Sequence, residues 1–184
     1  GTKSIVISGG ENIDYISAEG QGVTAVTIPA TMVNIEEIYL SGNSISTFTT
    51  HAEWVNLRVL DIGTNSLGSI TTRSQWVALE TLDVSNNSLA TLTTYSTWVA
   101  LETLIVDHNS LTSLTTYSAW VNLNVLSAMN NSLTNILARS TWGGTSIEFN
   151  VYSNAIADST AINNILVALD ATTKTSGTIN VSGG

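Results

Sequence analysis

The segment LETLDVSNNSLATLTTYSTWVA, residues 79–100, runs directly into LETLIVDHNSLTSLTTYSAWVN, residues 101–122, and the second stretch repeats the first at most positions. Working outward from this pair, all five tryptophans of the chain fall on one step: Trp54, Trp76, Trp98, Trp120 and Trp142 are each 22 residues apart. Asn43, Asn65, Asn87, Asn109 and Asn131 share that step, and Asn154 follows after one inserted residue. Leu57, Leu79, Leu101 and Leu123 keep the same time. A sustained period of this length marks a stack of units, none of which can bury its apolar face without a neighbour.

In register, the units read LRVLDIGTNSL (57–67), LETLDVSNNSL (79–89), LETLIVDHNSL (101–111) and LNVLSAMNNSL (123–133). Upstream the pattern continues as IEEIYLSGNSI (35–45) and, with Gln21 in place of the asparagine, as IDYISAEGQGV (13–23). Downstream it loosens to SIEFNVYSNAI (146–156). The pairs Leu60, Ile62 and Leu82, Val84 alternate, which sends every second side chain inward from a short strand. An asparagine just after that strand can turn its amide inward to satisfy backbone groups that the bend leaves unpaired, a deficit that otherwise costs about 1–3 kcal/mol per group. Leu67, Ile70, Leu89, Leu92, Leu111 and Leu114 are then core residues, with a tryptophan on the return leg of each unit covering its convex side. Roughly ten residues separate the asparagine from the next strand, so the return leg is expected to be a turn, with Ser74, Ser96, Ser118 and Ser140 placed to cap it.

These units resemble the leucine-rich repeat signature LxxLxLxxNxL, and second halves such as LTTYSTWVA (92–100) are similar to the short 22-residue class of that family, with tryptophan where an aliphatic residue is usual. The resemblance implies an α/β solenoid: about seven parallel-strand coils over 13–156, an N-terminal capping strand in 1–12 and a C-terminal cap in 157–184, all within one domain, 1–184. Solenoid ends must be closed against water. KSIVISGG (3–10) alternates Ile5 and Ile7 and is expected to pair alongside the first coil. DSTAINNILVALD (158–170) places Ile162, Ile165, Leu166 and Leu169 on one helical face behind Asp158 or Ser159, which predicts an amphipathic capping helix. SGTINVSGG (176–184) then reads as a last strand. The run from LVALDA into SGTINVSGG also resembles the closing segment of repeat regions in bacterial and bacteriophage surface or structural proteins.

Composition narrows the function classes. Charged residues are only 10% of the chain against 43% hydrophobic, so the surface is built mainly from uncharged polar residues. Five basic residues against 14 acidic ones, a net charge of −9, argue against nucleic acid as a partner. There is no cysteine, which excludes disulfides and thiolate chemistry. No apolar run approaches the roughly 20 residues that span a bilayer, so membrane insertion is not expected. The first residue is Gly1, with no methionine and no signal-like segment, which reads as a processed product or an excised fragment.

The outward strand positions form columns across the coils, and the resemblance implies that partners dock on this concave face. Tyr39, Asp61, Asp83, Ile105 and Asp107 make a mixed aromatic, acidic and apolar patch on central coils, which is the expected partner-binding set. Asp61 and Asp83 stand on adjacent strands about 4.8 Å apart. They admit a cation site or an acid and base pair, but a calcium ion needs further oxygen ligands that the pattern does not supply, and a solvated acidic patch is the simpler reading. His51 and His108 occupy different repeat positions and are not expected to meet. Without a convergent nucleophile, base and acid, or a glycine-rich phosphate loop, no enzyme, cofactor or metal site is expected. A tryptophan column could serve as a carbohydrate-stacking platform, yet its regularity favours core packing. The sequence therefore points to a non-catalytic module binding a protein or glycan at a cell or virion surface. A structural assembly subunit, contacting copies of itself or neighbouring subunits, is the alternative.

Overall fold

A computed structural model of the chain describes residues 2–8, 12–142, 146–156 and 176–181. The strands among them are β1 (Ser4–Val6), β2 (Tyr15–Ser17), β3 (Ala25–Thr27), β4 (Glu37–Tyr39), β5 (Val59–Asp61), β6 (Thr81–Asp83), β7 (Thr103–Ile105), β8 (Val125–Ser127), β9 (Ser146–Asn150) and β10 (Ser176–Asn180). Eight of these form one parallel sheet in the order β10-β9-β8-β7-β6-β5-β4-β2. Its register advances by one unit per strand: Leu60 pairs with Leu82, Leu82 with Leu104 and Leu104 with Leu126. The chain is thus a solenoid in which each coil places one short strand beside the last.

The inward alternation holds on every coil. Ile38, Leu60, Leu82, Leu104 and Leu126 at the strand centres are buried, as are Leu40, Ile62, Val84, Val106 and Ala128 two residues on. The five tryptophans of the return legs lie within the core, almost wholly buried. Trp98, Trp120, Trp142 and Phe149 stack face to face at 6.2–6.5 Å. Each later indole N–H donates to a carbonyl of the preceding coil: Trp76 to His51, Trp98 to Arg73, Trp120 to Tyr95 and Trp142 to Tyr117. That bond explains why an aromatic with a polar edge occupies a position that an aliphatic residue could otherwise fill.

Two further ladders bind coil to coil. Asn87 Nδ2 donates within its own bend to the carbonyls of Val84 and Ser85 and back to Ile62 of the preceding coil, all at 3.1 Å. Its Oδ1 accepts from Leu67 N at 2.9 Å. Asn65, Asn109, Asn131 and Asn154 repeat this arrangement. On the return leg Thr50, Thr72, Thr94 and Thr116 are buried, and each hydroxyl donates to a carbonyl of the next coil, at Thr71, Thr93, Thr115 and Leu137. The 22-residue step of these four threonines was present in the sequence beside the longer series of asparagines.

β1 pairs alongside the first coil, in parallel with β3, in a separate two-stranded sheet on that coil's return leg. The reason is local alternation in residues 25–28, where Val26 and Ile28 turn inward and leave an edge for β1. The Ser74 hydroxyl meets the side chain of Gln75 rather than capping a backbone N–H. No helix occurs among the described residues, so the α/β expectation is replaced there by strands and turns. The capping helix at 158–170 lies outside the described residues. β10, by contrast, pairs in parallel with β9 from Ser176 to Asn180.

The bend after each strand carries a conformational constraint that periodicity alone did not reveal. Gly20, Gly42, Thr64, Asn86, His108, Asn130 and Ser153 occupy equivalent sites, and all have φ between 50° and 69°. The left-handed region suits glycine and asparagine but costs an L-residue about 1–2 kcal/mol, and a β-branched side chain is the worst occupant. Thr64 is exposed, so replacing it removes no packing. Thr64→Asn should therefore raise stability by about 0.5–1 kcal/mol in chemical denaturation. Asn87→Ala should lower it by about 1–3 kcal/mol, because backbone groups in two coils lose their partner. A neutral result for Asn87→Ala would show that these groups find other partners.

Candidate functional site

Adjacent strands in such a sheet lie about 4.8 Å apart. The tryptophan rings that mark the return legs are 6.4 and 6.5 Å apart in the same coils. The coils are therefore closer on the strand side than behind it, and the sheet forms the inner, concave face. Its outward side chains are held by strands that cannot shift without breaking the ladders beneath them.

The first half of this face is aromatic and acidic. The rings of Tyr15 and Tyr39 stand 5.6 Å apart, and Tyr15 is 55% exposed. The Tyr39 hydroxyl donates to Glu37, and partial burial together with that carboxylate raises the phenol above its ordinary pKa. Arg58 is forked onto Glu80, its Nη2 at 2.8 Å and Nε at 3.1 Å, with Glu36 and Glu37 each at 3.8 Å from Nη1. Tyr39 faces Asp61 across β4 and β5, and Asp61 faces Asp83 across β5 and β6.

The aspartates are more structural than their outward positions imply. Asp61 Oδ1 accepts from Gly63 N at 3.1 Å, and Asp83 Oδ1 accepts from Ser85 N at 2.8 Å. A side chain at residue 63 would crowd both: its Cβ would sit 3.1 Å from Asp83 Oδ1 and 3.4 Å from Asp61 Oδ1. Burial pushes the Asp61 carboxyl above its usual pKa, and the charges of Asp83 and Glu19 add to the effect against the opposing hydrogen bond from Gly63. Asp107 is only 7% exposed. Its Oδ2 accepts from Ser127 Oγ and its Oδ1 from Met129 N, which ties it to the next coil. Strict alternation had placed Asp107 among the partner-facing residues, but β7 ends at Ile105 and the bend folds this carboxylate against its neighbour. Burial likewise raises its pKa. Tyr39, Asp61, Asp83 and Ile105 are half-buried and remain accessible on the face.

The resemblance to known structures follows this geometry. A leucine-rich repeat protein of Leptospira interrogans superposes with a TM-score of 0.60 at 19% identity, covering 83% of this chain and 42% of that one. The leucine-rich repeat domain of a Shigella effector gives 0.61 at 20% identity, covering 93% and 82%. An internalin of Listeria monocytogenes gives 0.50 at 18% identity, covering 92% and 61%. The fold is that of leucine-rich repeat proteins. No protein-family model matches the sequence, and no curated protein matches it. The chain spans less than half of the Leptospira protein.

Within the leucine-rich repeat solenoid the two histidines stay apart in role. His51 Nε2 donates to the Ile28 carbonyl while its ring edge meets Trp54, and His108 Nε2 accepts from Asn130 Nδ2. Among the described residues no group of three or more histidine, aspartate or glutamate side chains is placed to hold a metal ion. A groove of about 240 Å³ on the return leg is lined by residues including Thr112, Thr115, Asn135, Leu137 and Arg139. Its volume lies below the roughly 300–1,000 Å³ of ligand pockets. Behind the sheet, Tyr95 and Tyr117 pack edge-on against Trp98 and Trp120, so they belong to the fold.

A folded-state pKa raised above the unfolded one means that the native chain binds the proton more readily. The cost of ionising Asp61 is fully present at neutral pH and disappears as pH falls below the ordinary carboxylate range. Asp61→Asn keeps an oxygen to accept from Gly63 N and removes the charge. The substitution should raise the thermal midpoint at neutral pH, and the gain should shrink in acid. A loss of stability at neutral pH would mean that the carboxylate is favoured where it stands.

Proposed function

We propose that the chain is a non-catalytic module that docks a protein partner on the concave sheet face, in the setting of a cell or virion surface. The observation that supports this reading most is the row Tyr39, Asp61, Asp83 and Ile105. It sets an aromatic, two carboxylates and an aliphatic residue side by side on neighbouring strands. Partner anchors draw on such mixtures of rigid aromatic and apolar groups with polar neighbours. The four leave enough surface exposed to be touched, and the strands beneath fix their spacing, so little ordering entropy is lost on binding. The resemblance of the C-terminal run to closing segments of surface and structural proteins supports the setting. The same reading takes 1–184 as one domain, with 1–12 and 157–184 as its caps.

A second reading, assembly into a larger structure, draws on the return leg. Val55, Val77, Val99 and Val121 follow their tryptophans by one residue and form a column 45–50% exposed. An apolar ridge of this regularity is a surface through which copies of the chain could pack.

The two readings separate by panning a random peptide library against the whole chain. Binders to the concave face should weaken about tenfold or more on Tyr39→Ala combined with Ile105→Ser, and should be unchanged by Val77→Ser combined with Val99→Ser. The reverse pattern, together with a solution mass that rises with concentration, would overturn the binding module in favour of assembly.

A further inference from the structure

Acidic side chains gather on the strand side of the solenoid. Glu19, Glu36, Glu37, Asp61, Glu80 and Asp83 belong to the strand side of the first coils, and Arg58 is the basic residue described on that face. Arg73 and Arg139 lie on the return leg, where their guanidinium groups donate to the carbonyls of Thr50 and Thr116.

Arg58 shows what this face accommodates. Carboxylates from the coil before and the coil after bracket its guanidinium, with the Glu80 fork at 2.8 and 3.1 Å. Acids two coils apart therefore hold one planar cation, carried on the coil between them. Three residues further along the chain, a single coil step brings Asp61 directly beside Asp83, with Glu19 linked through the Ser41 hydroxyl at 2.8 Å. No described basic side chain ion-pairs there. Burial raises the pKa of Asp61, and the neighbouring charges of Asp83 and Glu19 add to that rise. Tyr39 adjoins Asp61 across the strand, and the exposed ring of Tyr15 lies 5.6 Å from it. A cation seated here would meet aromatic faces on one side and carboxylates on the other.

We propose that the patch of Tyr15, Tyr39, Asp61 and Asp83 receives an arginine-bearing segment of the protein partner. This rests on the concave-face module argued above and names the chemistry of its ligand. Arginine suits the patch better than lysine, because a planar guanidinium stacks on a tyrosine ring while forking onto paired carboxylates. An acidic partner would be repelled.

The test uses the whole chain, isotope-labelled for NMR, with an arginine-rich peptide, its lysine counterpart and a glutamate-rich control. Shifts should concentrate at residues 15–17, 37–41, 59–63 and 81–85, with the arginine peptide binding more tightly than the lysine one. Tyr39→Leu, or the more exposed Tyr15→Leu should the former fold poorly, leaves charge unchanged and should weaken binding about fivefold. Asp83→Asn retains an acceptor for Ser85 N and should weaken it too, whereas Glu53→Gln, an equal charge change on the return leg, should not. Equal effects of Asp83→Asn and Glu53→Gln, or shifts spread over the whole surface, would reduce the binding to diffuse attraction and overturn the proposal. If neutral peptides occupy these strands and the arginine peptide does not, the proposal falls while the concave module stands. Shifts centred on Val77 and Val99 would remove both.

Discussion

Everything in this solenoid depends on one side chain being able to serve two coils. Each bend turns the chain away from the sheet and leaves carbonyls and amides facing inward, where water cannot reach them. An asparagine amide has two donor hydrogens and an acceptor oxygen. At Asn87 these reach the bend's own carbonyls, a carbonyl of the coil before and the Leu67 amide. Aspartate has no donor, and glutamine is longer by a methylene. Gln21 illustrates the difference: its amide turns back to the Glu19 carbonyl at the exposed first coil instead of stapling two coils together.

That staple fixes the coil step, and the step determines the face. Once Asn, Thr and Trp ladders tie the central coils at three points around their circumference, neighbouring strands cannot slide. The wide indole stack behind and the narrow strand spacing in front then curve the sheet. Outward residues acquire neighbours by sequence arithmetic: a residue and the one 22 positions later stand side by side. The pairing of Tyr39 with Asp61, and of Asp61 with Asp83, follows from that rule and not from any local motif.

The repeat was legible because its residues are chosen by burial, which selects for both type and spacing. Leu82, Val84, Asn87 and Trp98 could be placed from the sequence since few alternatives fit their surroundings. Asp107 could not. Alternation assigns its side chain outward, yet the strand stops two residues earlier, and only the fold shows the carboxylate bonded to Ser127 and the Met129 amide. The left-handed bend at Thr64 and His108 was hidden for a related reason, since glycine marks that position only in the first coils, at Gly20 and Gly42. β3 escaped because it lies on a return leg, where the repeat carries no other strand among the described residues.

The same division explains why the inner face can differ from coil to coil. Ladder positions are held constant by the polar groups they satisfy, so substitution there strands a carbonyl or an amide. Outward strand positions carry no such duty unless a side chain folds back, as Asp107 does and as Asp61 and Asp83 do in part. The result is a rigid frame whose front varies from tyrosine and carboxylate at β4 and β5 to isoleucine at β7 and serine at β8. Because the frame sets the spacing, a carboxylate placed on one coil meets its neighbour's charge at a fixed distance whether or not a counter-ion is present. Arg58 supplies one for Glu80. Asp61 and Asp83 have no such counter-ion among the described residues, and their mutual repulsion adds to the burial that already disfavours the Asp61 carboxylate.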